Sequence, residues 1–425
     1  MTPHVHILIA GAGLTGLSTA YHLEKKGQHD YLLLEKQAVC GGLCASTQKN
    51  GFTYDYGGHL LHLHTPYGKR LIKNLLGKNL QRLSRRAFID VSGTRVPYPF
   101  QANLFALTKE QQRSCIKGLS SVGKYKNTRS FERWCKHHFG TGIYELFFKP
   151  YNTKLWGISP SALTSEWCPS FVPLLSAQEI QKSCQKPSRK DYGYNASFYY
   201  PKRNGCRALV DALLQPLENV RTHAALTAVN LSQKTARING QTVSYDFLVN
   251  TLPLPQFCEL VQDKQQLGKY AARLSASPVT VYHLGINRAL KNPFSWIYFP
   301  EKEVPFFRVG LQSSFSPHNA PKGTSLFYIE IPGLHTPSAA LKKQIWNCLV
   351  QKGIIKNTDR SVYSDWHQIP YAYARYDTQR TRTVNRLLRL LRQQDCYCAG
   401  RYGLWEYSFM EKSLLDGRQL ANVLN

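Results

Sequence analysis

The residues best suited to chemistry lie in two short runs near the start of the chain. At positions 54–64 the sequence YDYGGHLLHLH places His59, His62 and His64 within six residues, directly after the pair Gly57-Gly58. Three imidazoles so close together could ligate a metal, pack into a core or border a cofactor pocket. A metal triad needs all three rings to converge, with a second shell that fixes their tautomers, and no such partner set accompanies them. His62 and His64 alternate with Leu61 and Leu63, which predicts one shared face of a short extended segment. His59, beside the glycines, is left as the candidate for chemistry. The second run is GAGLTG, positions 11–16. Gly11 permits a tight turn, Gly13 lets the backbone approach a pyrophosphate, and Gly16 lets a helix close on a sheet. The helix that follows would offer free N–H groups and a partial positive charge to phosphates. Glu35, 19 residues after Gly16, is placed to accept hydrogen bonds from a ribose.

Those residues need particular elements to hold them. Residues 4–10 (HVHILIA) form a nearly continuous apolar run, as a buried parallel strand does. Residues 17–26 have helical spacing and end at Gly27, and residues 31–34 (YLLL) read as a second strand closed by Glu35. Strand, glycine turn, helix, strand and acid make a complete βαβ unit in the order a dinucleotide site requires. Further helical patterns fall at 71–76, 109–118, 131–149 and 207–217, while the polar, basic stretch 178–190 reads as a loop. Residues 220–231 and 237–249 alternate as strands around a turn at Asn239-Gly240. Residues 245–254 read as a strand ending in a proline turn, and strand-like runs recur from 279 to 331. A strand at 395–399 leads to Gly400 and a helix from about Met410.

At 425 residues, 43% hydrophobic and 12% aromatic, the chain has the composition of a folded protein of two or three domains. It has no uncharged apolar run of about 18 residues and no signal-peptide pattern, so a cytoplasmic location is expected. Eleven cysteines without a CxxC pair read as reduced, mostly buried thiols, not a zinc site. The formal charge of +28 attracts anions, but the Lys and Arg residues are spread along the chain with no basic tail. No nucleic-acid partner is expected, and peripheral membrane contact is allowed.

The residues after Glu35 separate nicotinamide from flavin. In EKQAVCGGLCAS, positions 35–46, a second pair, Gly41-Gly42, follows six residues beyond the acid. With GRYGLWEYSFMEKSLLDG at positions 400–417, this resembles the two-dinucleotide flavoproteins that include amine oxidases, protoporphyrinogen oxidase and UDP-galactopyranose mutase. The resemblance implies FAD. Its diphosphate would lie along the two glycine turns, Gly11, Gly13 and Gly16 with Gly41, Gly42 and Leu43. Lys36 and Leu226 are further implied contacts beside Glu35. The flavin end would meet Gly58, His59, Gly400, Arg401 and Met410. It further implies an α/β fold (α+β overall), with a Rossmann-type FAD-binding domain drawn from residues 1–86, 194–250 and 390–425. A helical insertion would occupy 100–190, and an antiparallel-sheet substrate domain 87–99 and 251–389.

Three segments resemble the UDP-galactopyranose mutase branch. LFFKPYNTKLWGISPSAL, positions 146–163, would place Trp156 in a uridine pocket, and PFFRVGLQSSFSPHNAP, positions 305–321, would place Arg308 on a substrate diphosphate. In the closing motif Arg401 and Tyr407 match an arginine and a diphosphate-binding tyrosine. Tyr371 and Tyr373, in IPYAYARYD at 369–377, stand where such enzymes carry active-site aromatics. The activity implied is redox-neutral pyranose–furanose ring contraction of a sugar nucleotide, through a flavin N5–sugar adduct on FAD reduced by NAD(P)H. His59, Arg308, Arg401 and Tyr407 would be catalytic. One position departs: Phe171, in EWCPSFV at 166–172, stands where a second diphosphate-clamping arginine is expected. Such a contact is worth about 1.5–3 kcal/mol and no aromatic replaces it. The alternative is an oxidoreductase of amine oxidase or protoporphyrinogen oxidase type, passing hydride from substrate to flavin.

Overall fold

The structure, a computed structural model, describes residues 2–187, 190, 192, 193 and 195–424. Its fold is mixed α/β, built on two seven-stranded sheets. The first sheet runs in the order Leu226–Asn230, Thr235–Ile238, Gln241–Asn250, His4–Ala10, Tyr31–Leu34 and Val220–Arg221, with Cys396–Cys398 pairing off Gln241–Asn250. Its centre is parallel and apolar: Ile9 sits opposite Leu33 on one side and Val249 on the other. All of Ile7, Leu8 and Ile9 are fully buried, because helices cover both faces, and this explains an apolar run without alternation. The sheet draws strands from both ends and the middle of the chain.

The second sheet is antiparallel except for one parallel pairing, Trp296–Tyr298 with Ala87–Val91. Its order is Ser361–Ala374, Ala276–Ile286, Ser325–Pro332, Arg308–Leu311, Trp296–Tyr298, Ala87–Val91 and Thr94–Pro97. Between Lys109 and Lys182 the described chain is largely helical, with Lys109–Gly118, Phe131–Ile143, Lys149–Trp156, Cys168–Phe171 and Ala177–Lys182 as its α-helices. The C-terminal helix Met410–Val423 returns to the first, Leu14–Glu24, where Ser18 Oγ donates to the Leu414 carbonyl at 2.6 Å.

Several sequence expectations need correction. The stretch 178–190 is not all loop: Ala177–Lys182 is a helix, because Ser176 and Glu179 form a reciprocal capping box; residues 188 and 189 lie outside the described residues. The aromatic segment 131–149 is not one helix but breaks at Gly140, whose φ is +80°, and passes through a π-helical turn at Tyr144–Phe148. The Asn239-Gly240 turn joins Thr235–Ile238 to Gln241–Asn250, both turn residues adopting positive φ as a tight hairpin demands. His62 and His64 do not share a face: His62 is buried with its ring edge-on to Phe198, and His64 is exposed near Phe409.

All eleven cysteines are free, and no cluster of metal-ligating side chains occurs among the described residues. Among the described residues no helix is long and apolar enough to cross a membrane.

Two buried histidines give the fold a pH dependence. Burial lowers His62 to about 4 and His283 to about 3, and neither ring nitrogen of His283 meets a hydrogen-bond partner among the described residues. Unfolded, both would titrate near 6.5. Stability is therefore full above pH 6.5 and falls as acid lets the unfolded chain take protons that the native state refuses. It levels off below the folded values. The effect is worth about 3 kcal/mol for His62 alone. Urea midpoints measured from pH 7 to 4 should fall steeply, and His283→Leu should flatten the lower half of that curve.

Candidate active site

A cavity of about 730 Å³ is walled by both sheets and by the loops at their ends. On the side of the first sheet the turn after His4–Ala10 lines it with Gly11 and Gly13, and Gly41 and Gly42 lie against that turn. Gly41 N donates to the Ala12 carbonyl at 2.8 Å, so the two glycine runs form one surface. Gly11 has φ +98° and is pinned by Thr251, whose hydroxyl donates to the carbonyls of Ala10 and Gly11 at 2.8 and 2.9 Å. Gly16 does not face the cavity. It packs beneath Gly11, and a Cβ there would overlap the Gly11 carbonyl oxygen. Glu35, Lys36, Leu43 and Leu226 also line the cavity, and one Glu35 oxygen accepts the Gln37 N–H at 3.0 Å.

A dinucleotide fits this half. The helix Leu14–Glu24 begins at Gly13 with no side-chain cap and no acid in its first turn, so its N–H groups are free for phosphate. A Cβ built on Gly13 meets nothing within 4 Å, which leaves the room a diphosphate needs.

The other half is formed by the loop that carries His59 and by the second sheet. Asp55 fixes the loop from below: buried, it accepts the Cys206 N–H at 3.0 Å, the Tyr200 hydroxyl at 2.7 Å and Gln312 Nε2 at 2.9 Å. Gly58 passes so close to Tyr328 that a Cβ would come within 2.7 Å of its hydroxyl. His59 lines the cavity with Nδ1 unpartnered among the described residues, and burial lowers its pKa despite the nearby Asp55, so its ring is neutral.

Arg308 projects from Arg308–Leu311 into the cavity and makes a two-pronged ion pair with Glu330, directly opposite on Ser325–Pro332. The Nη2–Oε1 arm is 2.6 Å long. Burial disfavours the guanidinium, but Glu330 more than reverses this and holds it charged. Arg401 gives its Nη1 to the Ser408 carbonyl at 3.0 Å and its Nη2 to that of Ala372. Its guanidinium also lies 5.5 Å from both the Tyr373 and Tyr407 rings. Tyr373 and Tyr407 are raised by burial and stay protonated. Tyr371 and Met410 complete this wall, whereas Gly400 lies behind it, against Thr15.

Trp156 is not on the wall. Its indole is 1% exposed and donates to Asn152 Oδ1 at 3.1 Å, and its ring backs Tyr373 and Tyr407 edge-on. Phe171 does line the cavity, with its ring 4.3 Å from that of Tyr407, and Phe409 stands beside it. Among the described residues the arginines that line the cavity are Arg308 and Arg401, and neither stands at the Phe171 corner. The sequence reading missed Glu330, Tyr328 and His367, all on the cavity wall. The acid in the apolar run SLFYIEIP was the available signal, since a buried carboxylate needs a cation.

Comparison with known proteins agrees with this geometry. The model of the flavin containing amine oxidoreductases matches residues 14–425. A probable UDP-galactopyranose mutase of Klebsiella pneumoniae is 27% identical over 171 residues, 37% of this chain and 42% of that protein. The chain spans about half the length, or less, of the curated relatives it matches. A crystal structure of reduced UDP-galactopyranose mutase superposes with a TM-score of 0.93 at 26% identity, over 98% of this chain and 95% of the other. Cyclohexylamine oxidase from Brevibacterium oxydans shares the fold, with a TM-score of 0.69 at 12% identity over 99% of both chains. By the match along nearly its whole length, the chain belongs to the flavin containing amine oxidoreductase family.

Proposed function

We propose that the protein binds FAD and acts on a sugar nucleotide as UDP-galactopyranose mutase does, interconverting ring forms without net oxidation. The observation that carries this reading is the meeting of Arg308, Tyr373 and Tyr407 in the cavity that the glycine cradle also lines. Glu330 engages only Nε and Nη2 of Arg308. A guanidinium has five donors, so its remaining edge can hold a phosphate oxygen. The Tyr373 and Tyr407 hydroxyls, kept neutral, can donate to the same diphosphate. His59, also neutral, can take a proton beside the flavin position. FAD, when bound and reduced by NAD(P)H, would supply the centre at which the sugar's anomeric carbon reacts.

The oxidase reading is favoured by one feature, the apolar corner of Phe171 and Phe409 where a second arginine would grip a diphosphate. Incubating the anaerobically reduced protein with UDP-galactopyranose or UDP-galactofuranose, and separating the products, decides between them. Interconversion that needs reduced flavin is expected. Hydrogen peroxide release from an amine in air, with no ring interconversion, would establish the oxidase instead.

A further inference from the structure

Apart from the cavity, the helix Arg380–Arg392 concentrates charge in an unusual way. Thr383, Val384, Leu387 and Leu391 are buried, and the opposite side exposes Arg382, Arg386, Arg389 and Arg392 at spacings of three and four. The neighbouring helix Gln265–Ala271 adds exposed Lys269, with exposed Arg273 just beyond its end. The helix contains no acid. Asp377, before it, accepts the N–H groups of Gln379 and Arg380, both at 2.9 Å, and Asp395, after it, pairs with Lys234 at 2.7 Å. Among the described residues none of the four exposed arginines forms an ion pair. Like charges three and four apart repel on a helix, a strain that an anionic partner would relieve.

We propose that this face docks on an acidic lipid bilayer. The helix is half embedded, packed on Gln265–Ala271 and on Cys396–Cys398. It therefore cannot enter a nucleic-acid groove about 12 Å wide as a recognition helix does, but its convex side can rest on a flat array of headgroups. Guanidinium groups bond phosphates with two parallel donors. Arg386 lies 4.4 Å over the Tyr270 ring and Arg392 4.1 Å over that of Tyr397, which puts two amphipathic rings at headgroup level. No apolar residue of the helix is exposed, so docking is electrostatic, without insertion.

The test is sedimentation of the full-length flavoprotein with phosphatidylcholine vesicles, with and without roughly one quarter phosphatidylglycerol. Binding is expected only to the acidic vesicles, at about 0.05 M salt, and should vanish by about 0.5 M. Each arginine near an acidic surface contributes about fivefold. The charge reversal R382E/R386E/R389E should therefore weaken binding more than about 100-fold. The milder R382Q/R389Q should weaken it about 25-fold and serves if the reversal does not fold. The control K69E/R70E/K73E alters another exposed basic helix, Pro66–Leu76, by the same net charge and should bind nearly as the parent does. No binding to acidic vesicles, or equal loss in the control, overturns the proposal. Tighter binding to a DNA duplex than to acidic vesicles at the same salt overturns it in favour of a nucleic-acid partner.

Discussion

Replacing Arg308 by alanine is expected to remove turnover and to destabilise the protein in one step. The pair with Glu330 is shielded, the two side chains being 19% and 6% exposed. Deleting the cation leaves a buried carboxylate uncompensated, and breaking such a pair costs about 3–5 kcal/mol. The catalytic loss is separate: removing a charged donor aimed at a leaving anion costs about 2.7–4 kcal/mol of transition-state stabilisation, or roughly 100- to 1,000-fold in kcat. Thermal melting and steady-state kinetics on a UDP-sugar measure the two. A double variant, Arg308→Met with Glu330→Leu, separates them, since apolar replacement of both partners is often neutral or stabilising. It should melt near the parent and remain inactive. An Arg308→Ala protein with undiminished kcat/KM would remove Arg308 from the substrate site and end the diphosphate reading.

How much of this site was legible in the sequence depends on how local each determinant is. The turn at Gly11–Gly13 and the strands around it are set within about 30 residues, by the apolar runs and the acid that closes them, and the structure has those elements at those positions. The loop 54–64 was harder. Leu61 pairs with Tyr199, so the direction of His62 is decided by a partner far along the chain and not by alternation. Glu330 was visible as an acid in an apolar strand. Its partner follows from the register of Arg308–Leu311 against Ser325–Pro332, which no short-range pattern states. Trp156 shows the opposite difficulty. A motif places a tryptophan near the substrate, but its indole is satisfied by Asn152, four residues earlier on the same helix, and it supports the tyrosines from behind. The helix Ala177–Lys182 was legible after all: Ser176 and Glu179 are a capping pair that polar composition disguised as loop.

The two glycines of the first turn should fail in different ways when given a methyl group, and this tests the cofactor site without any substrate. At Gly16 the new Cβ overlaps the Gly11 carbonyl oxygen and lies 3.3 Å from Leu33 Cδ1, backbone on one side and core on the other. Neither can yield cheaply, so Gly16→Ala should lower the stability of the flavin-free protein by about 1–3 kcal/mol and deform the turn, with loss of flavin. At Gly13 the Cβ meets no protein atom, and its φ of −73° suits any residue. Gly13→Ala should therefore leave the melting of the flavin-free protein close to that of the stripped parent. Its methyl would occupy the space a diphosphate needs over the helix N-terminus. Forfeiting two charge-assisted contacts of about 1.5–3 kcal/mol each should weaken flavin binding by about 100-fold or more. Both proteins must be compared without flavin, because a bound ligand raises stability by mass action and would mask the difference. Visible flavin absorbance per protein gives one axis and the flavin-free melt the other. A Gly13→Ala protein that purifies as yellow as the parent would mean that no diphosphate crosses this turn. Equal destabilisation of both variants would mean that the turn is a packing device first.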